Sequence, residues 1–186
     1  MLKTSPMLRI LVGCVVLAAS PLAVAQQARD PAPPPVSAQD ARLLRDIARS
    51  SLAEIAAGKL ALDQARAEAV RKFGQLMVDV HSKLLEEARN IAKLKGLEVP
   101  AELDPQQQAA VNALRGTPPD RFDRAYGDQV IKDHQDALEL ARRASTEARD
   151  PNIKAFAAKA SPHIEKHLEI ARELAVTPPG KSAGAR

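Results

Sequence analysis

Cysteine and aromatic residues are scarce in this sequence. The 186 residues include one Cys, one Tyr, three Phe and no Trp. The single cysteine, Cys14, lies in an N-terminal leader, so the processed chain is expected to carry no thiol. That excludes disulfides, thiolate metal sites and cysteine nucleophiles. The apolar residues are mainly Ala and Leu, with few β-branched side chains, which favours closely packed helices over a sheet.

A strong charge of one sign is also missing. The formal net charge is +4, and two of the positive charges, Lys3 and Arg9, belong to the leader. Basic and acidic residues alternate along the chain, as at Arg45, Asp46 and Arg49, instead of forming one positive surface. This pattern predicts solvated helix surfaces and no binding to nucleic acid.

Residues 1–25 have the three parts of a bacterial secretory signal peptide. A basic segment is followed by an apolar run over residues 10–19 and by the small-residue cleavage signal at 23–25, before Gln26. The apolar run is shorter than the roughly 20 residues that a membrane helix needs. We therefore expect an exported, periplasmic protein whose mature part has no transmembrane span.

A second processing signal competes with this one. Residues 11–14, Leu-Val-Gly-Cys, resemble the site at which bacterial lipoproteins are cut and acylated on cysteine. The hydrophobic run continues well past Cys14, which favours cleavage after Ala25. Lipidation at Cys14 stays open as the alternative, and it would associate the protein with the outer membrane.

Proline-rich segments flank the part of the chain that has helical periodicity. Residues 26–36 contain four prolines, and residues 177–186 contain two prolines and two glycines. Both segments lack a core-forming pattern and are predicted to be disordered. The chain has room for one domain, which we expect over residues 37–176.

Apolar residues recur at 3.6-residue spacing through residues 37–95, which predicts two amphipathic helices. Ser37 followed by Asp40 predicts a capping box at the first N-terminus. A single helix of this length would be a rod of about 85 Å with nothing to cover its apolar face, so a turn is expected at residues 65–68. The second helix is expected to end near Gly96.

Two more helices are predicted after a long connection over residues 97–119, which has room for a short helix over residues 106–114. Thr117 is the predicted N-cap of the third helix, and Asp150, which precedes a proline, is the predicted N-cap of the fourth. Pro162 is expected to kink or split the fourth helix. Together these features predict an all-α fold, a ferritin-like four-helix bundle with a long connection between helices two and three.

Five polar residues fall on helix faces that also carry the core pattern. They are Glu54, His81, His134, His163 and His167. Imidazole and carboxylate groups that converge inside a bundle can hold a divalent metal, and His163 and His167 have the spacing that binds one ion from a single helix. The competing interpretation is structural, with the imidazoles hydrogen-bonded to neighbours such as Asp79 or Asp133. No cofactor is expected under that interpretation.

The sequence lacks the signatures of common enzymes. Di-iron bundles need Glu three residues before a ligating His, but those positions hold Val78, Ile131, Ala160 and Ile164. There is no Gly-x-Ser-x-Gly elbow and no phosphate-binding glycine loop. The sequence favours a non-enzymatic binding or structural module that acts with an unidentified partner in the cell envelope. The alternative is a metal-binding or redox-stress protein.

Three segments resemble a family of exported, ferritin-like bacterial proteins, the domain of unknown function DUF4142, whose members are often described as exported or outer-membrane proteins. The segments are residues 72–78 leading to His81, residues 122–126 leading to His134, and Pro162 with His167-Leu168. The resemblance covers most of residues 41–174. It implies a ferritin-like fold, export and recurring polar positions at the three histidines, but no established activity.

One residue departs from the family pattern. The family has Asp directly before the histidine of the second helix, whereas this sequence has Val80 there and Asp79 one position earlier. A shift of one position turns a helical side chain by about 100°. Asp79 is therefore not expected to support His81 as its family counterpart would.

Overall fold

The computed structural model describes residues 35–176, and this part of the chain is helical and contains no strand. Its five helices are α1 (Ala38–Gln64), α2 (Glu68–Lys95), α3 (Pro105–Arg115), α4 (Phe122–Glu147) and α5 (Pro151–Val176). The predicted all-α class is confirmed. The predicted leader at 1–25, most of the spacer at 26–36 and the tail at 177–186 lie outside the described residues.

The four long helices form a bundle of two helical hairpins. α1 packs along α2, and α4 packs along α5. The hairpins meet mainly through α1 against α4 and α2 against α5, while the short α3 lies in the long connection and contacts α1 and α4. This is the predicted ferritin-like bundle, with α4 and α5 as its third and fourth helices. None of the helices in the described range combines the length and apolar character needed to cross a bilayer.

Two aspartates connect the hairpins by accepting hydrogen bonds from backbone N–H groups in the turns. Ser37 Oγ accepts the Asp40 N–H at 3.1 Å, which confirms the predicted cap. The Asp40 carboxylate does not close a capping box; it accepts the backbone N–H groups of residues 149–150, between α4 and α5. In the same way, the Asp123 carboxylate on α4 accepts the N–H groups of residues 66–67, between α1 and α2. Each turn is thus capped by the other hairpin.

The expected start of the third long helix was wrong, and the split expected as one of two outcomes at Pro162 does not occur. α4 begins at Phe122, and Thr117 Oγ1 donates to the Ala113 carbonyl at the end of α3 instead of capping α4. α5 runs without a break through Pro162. Apolar side chains on both sides of this proline are buried against the bundle, so packing holds the helix together where the proline removes a backbone hydrogen bond.

α1 and α2 approach closely at a pair of glycines. A Cβ added to Gly58 would lie 2.8 Å from the Gly74 carbonyl oxygen, and one added to Gly74 would lie 2.8 Å from the Cβ of Ala61. Side chains at these positions would push the backbones apart. The glycine pair therefore fixes how α1 sits on α2.

The core is divided into two apolar clusters along the bundle. One contains Leu44, Leu138 and Phe156 with their neighbours, and the other is built around Phe73 and Tyr126. On each long helix the two clusters are separated by a short stretch of sequence that carries a buried polar residue. The core therefore has a polar layer in its middle.

Candidate metal centre

The polar layer receives one functional side chain from each long helix. These are Glu54 from α1, His81 from α2, His134 from α4 and His167 from α5. Each of the four residues is at most 3 % exposed. Their polar atoms are therefore shielded from bulk water and depend on one another for compensation.

The three histidines form a nearly equilateral triangle. Their ring centroids are 5.4, 5.5 and 5.6 Å apart, and one ring nitrogen from each lies within 4.8 Å of the other two. His134 Nε2 and His167 Nδ1 are 3.4 Å apart. Two nitrogens bound tetrahedrally to an ion at about 2.05 Å would be about 3.3 Å apart. This pair already has the spacing of two ligands, and one His81 nitrogen lies within 4.8 Å of both histidines' ligand atoms.

A backbone carbonyl fixes the orientation of His134. The ring Nδ1 lies 3.1 Å from the Val130 oxygen, which can only accept, so Nδ1 carries the donated proton. In the neutral ring, Nε2 then accepts a hydrogen bond from His167 Nδ1–H, and a bound ion would take the place of that hydrogen. Metal-binding imidazoles use the same arrangement, because the outer N–H bond holds the ring while the other nitrogen ligates.

Glu54 provides a negative charge behind His134. Its Oε1 lies 3.2 Å from His134 Nδ1. The ring N–H points to the Val130 carbonyl, however, so the contact is electrostatic and neither Glu54 oxygen has a hydrogen-bond partner. Burial raises the pKa of Glu54, but the attraction of His134 outweighs burial and leaves that pKa below its ordinary value. The carboxylate is therefore anionic at neutral pH.

The histidines differ in their charge state. Burial lowers the pKa of His81 to about 4, against the pull of Glu54. Burial and the neighbouring histidines lower the pKa of His167 to about 3. For His134, burial acts downward, but the Glu54 carboxylate and the Val130 carbonyl together outweigh it and raise the pKa above its ordinary value. At neutral pH His81 and His167 are thus neutral, the form that ligates metals.

His81 is the least compensated group in this layer. Among the described residues neither of its ring nitrogens has a hydrogen-bond partner, although the residue is only 2 % exposed. An unsatisfied buried polar group costs about 1–3 kcal/mol. The residues present fit a metal ion, because coordination would satisfy His81 and would use the nitrogens that His134 and His167 direct at each other.

The structure brings together four of the five residues singled out from the sequence. His163 is exposed and lies outside the histidine triangle. It precedes the buried Ile164 by one position, which turns it about 100° from the inner face of α5. The predicted place of His163 in the bundle interior beside His167 is therefore wrong, and His163 is not part of the group of three.

The neighbours proposed under the structural interpretation do not bind the histidines. Asp79 is exposed and accepts a hydrogen bond from Gln75 Nε2 at 2.8 Å. Asp133 is partly buried beside Glu54, and it interacts with Gln129 on its own helix. The shift of Asp79 by one position has therefore removed it from the polar layer, as expected from the helical geometry.

Tyr126 has a buried hydroxyl group whose surroundings the sequence did not predict. The sequence placed it on the inner face of the third helix, but it gave no sign that its hydroxyl would lack a hydrogen-bond partner. Burial, followed by the charge of Glu54, raises the pKa of this hydroxyl far above its ordinary value. The available signal was its spacing, since Tyr126 stands two helical turns before His134.

The sequence and the structure were compared with known proteins. A family model described as "Domain of unknown function (DUF4142)" matches residues 25–174. The crystal structure of a DUF305 fragment from Deinococcus radiodurans is similar, with a TM-score of 0.68 and 14 % identity over 76 % of this chain and 98 % of that chain. Likeness at this identity shows the helical fold alone. The comparison with curated proteins gave no match.

Proposed function

This chain belongs to the DUF4142 family, and from that premise we propose that it is a non-enzymatic binding module that holds one divalent transition-metal ion inside its helical bundle. The ligands are His81, His134 and His167. Glu54 lies behind His134, where its negative charge offsets part of the charge of the ion. The family supplies the fold, and the chemistry of the polar layer supports the binding role.

The observation that carries this proposal is that the buried His81 ring has no hydrogen-bond partner among the described residues. A purely structural histidine at this depth should find hydrogen-bond partners, as buried polar groups generally do. Within residues 35–176 both His81 nitrogens lack one, and one of them lies near a nitrogen of each of the other two imidazoles. A ligand with affinity for nitrogen lone pairs resolves this arrangement, whereas the structural alternative leaves it uncompensated.

The donor atoms indicate the class of metal. Imidazole nitrogens suit zinc, copper, nickel and iron. Calcium and magnesium require several oxygen ligands, and no carboxylate belongs to the described group of three histidines. Three protein ligands leave a fourth tetrahedral position open for water or a small ligand. We therefore propose a transition-metal ion rather than a hard divalent cation.

Metal content tests the proposal directly. The protein is expressed with its leader and purified without an affinity tag, and metal is measured by mass spectrometry before and after equilibration with Zn²⁺ or Cu²⁺. We expect about one ion per chain, lost in His81→Ala and His167→Ala. His163→Ala is the matched control, because it removes an exposed imidazole from α5 and should bind like the wild type. A wild-type chain that takes up neither ion contradicts the proposal.

We also propose that the protein works in the periplasm, with export directed by the leader at residues 1–25. Association with the outer membrane through a lipid on Cys14 is the alternative. The intact mass of the exported protein separates the two, since one product begins at Gln26 and the other begins at an acylated Cys14. A mass that retains the leader contradicts both.

A further inference from the structure

A groove on the surface of the bundle leads toward the polar layer. It lies between α1, α3 and α4 and has a volume of about 550 Å³. Glu54 lines this groove, although the residue is only 2 % exposed and both of its carboxylate oxygens lack hydrogen-bond partners. The same carboxylate lies 3.2 Å from His134. Glu54 therefore lies between the groove and His134, on the side of that ring that carries Nδ1.

Acidic side chains outnumber basic ones along this groove. The acids are Asp46, Glu54, Asp133 and Asp136, and the bases are Arg49 and Lys132. Both bases are paired within the groove region. Arg49 contacts Asp46 at 3.1 Å and Asp104 at 3.4 Å, and Lys132 contacts Asp136 at 2.7 Å. Asp133 is partly buried and Glu54 is buried, so their carboxylates line the groove at increasing depth from the surface.

α3 forms one wall of the groove and buries few of its own side chains. α3 has 11 residues, and Val111 and Leu114 are its only buried side chains. Gln107 Nε2 donates to the Arg49 carbonyl at 3.0 Å, and Asp104 pairs with Arg49. Long connections on either side join α3 to α2 and α4. An element with so little buried surface can move away at low cost.

The other described cavity beside the histidines is unsuited to an ion. It adjoins His81 but has a volume of only about 10 Å³, and apolar side chains such as Leu84 and Ile164 supply most of its lining. A hydrated cation would lose its water there without gaining a compensating group.

We propose that the groove between α1, α3 and α4 is the path by which a divalent cation reaches the histidine triangle, with Asp133 and Glu54 as successive transfer ligands and α3 as a movable cover. This inference rests on the proposed metal-binding function. Carboxylate oxygens accept a partly hydrated cation, and the imidazoles then replace them as the ion moves inward. A negatively lined cleft also raises the rate of cation association.

The test is the rate of metal exchange in the full protein. Zn²⁺ association with metal-free protein is measured by stopped flow, and dissociation is measured into excess chelator. Asp133→Asn should slow both association and dissociation, by about three- to tenfold, because both use the same path. Asp79→Asn is the matched control, because it removes the same charge from an exposed site outside the groove. Gln107→Ala, which releases α3, should speed both rates.

Two results would overturn the inference in different ways. If the wild type binds Zn²⁺ but Asp133→Asn and Gln107→Ala exchange it at the rates of Asp79→Asn, the groove is not the path and the proposed function stands. If the wild type binds no Zn²⁺ at equilibrium, the proposed function fails and the path fails with it. Circular dichroism confirms that each variant is folded before its rates are compared.

Discussion

Replacing His81 with leucine should stabilise the metal-free protein while abolishing its metal binding. The side chain is 2 % exposed, and both ring nitrogens lack a partner. Removing an unsatisfied buried polar group recovers about 1–3 kcal/mol. Leucine has a similar volume and a higher helix propensity, so the cavity and strain costs are small. We therefore expect the free energy of unfolding to rise by about 1–2 kcal/mol.

The same change at His134 should have the opposite sign. His134 is fully buried beside the Glu54 carboxylate, and its proton is held by the Val130 carbonyl. His134→Leu would leave Glu54 as an uncompensated buried charge. Breaking a buried pair in this way costs about 3–5 kcal/mol. The two substitutions are chemically identical, and only the partners of the imidazole differ.

Urea unfolding of chelator-treated protein, followed by circular dichroism, measures both effects. In a thermal melt of a domain of this size, a change of 1 kcal/mol in the free energy of unfolding would shift the melting temperature by about 2–4 °C. A His81→Leu variant that loses more than about 1 kcal/mol would refute the reasoning, because it would show that His81 is compensated in the metal-free state. Equal losses for the two variants would refute the special role of the Glu54–His134 pair.

Three further predictions concern the scaffold. Gly58→Ala should cost about 1–3 kcal/mol in urea unfolding, because its Cβ would lie 2.8 Å from a carbonyl oxygen of α2; Gly127→Ala, which meets open space in α4, should be neutral or stabilising by up to about 1 kcal/mol. Asp40→Ala should lower the free energy of unfolding by about 2–4 kcal/mol, because it leaves two backbone N–H groups between α4 and α5 without their acceptor; a loss under 1 kcal/mol would contradict that role. Burial raises the pKa of Asp150, but Lys95 at 2.7 Å and the N–H groups that start α5 outweigh it and lower that pKa. Its contribution is therefore present above about pH 4 and is lost as pH falls through the lowered pKa, so melting temperatures of Asp150→Asn should depend less on pH in that acid range than those of the wild type.

Helix positions were largely predictable because they depend on neighbouring residues. The 3.6-residue periodicity placed all four long helices, and the breaks at residues 65–68 and at Gly96 followed from length and glycine chemistry. Thr117 does not cap α4 and Pro162 does not split α5, because local preference competes there with contacts made elsewhere. The hydroxyl of Thr117 finds a carbonyl of α3, and packing against the bundle keeps α5 continuous past its proline.

The candidate site was predictable only as a set of positions. Periodicity placed Glu54, His81, His134 and His167 on inner faces, and it placed His163 there as well, because a helical pattern resolves direction to within about one residue. It gave no information about which imidazoles share a level along the bundle. The groove beneath α3 had no counterpart in the pattern, since the residues that line it come from three helices far apart in the sequence.

The sequence by itself determined an all-α chain, the ends of most of its helices and the polar residues that face inward, because each of these depends on contacts within a few residues. Tertiary structure decided the rest. The long helices pack at one particular rotation and axial offset. At that position Gly58 and Gly74 approach closely, and aspartates of each hairpin contact the other hairpin. That packing brings three imidazoles to one level and leaves the fourth outside, since side chains on different helices meet only when both rotation and offset agree.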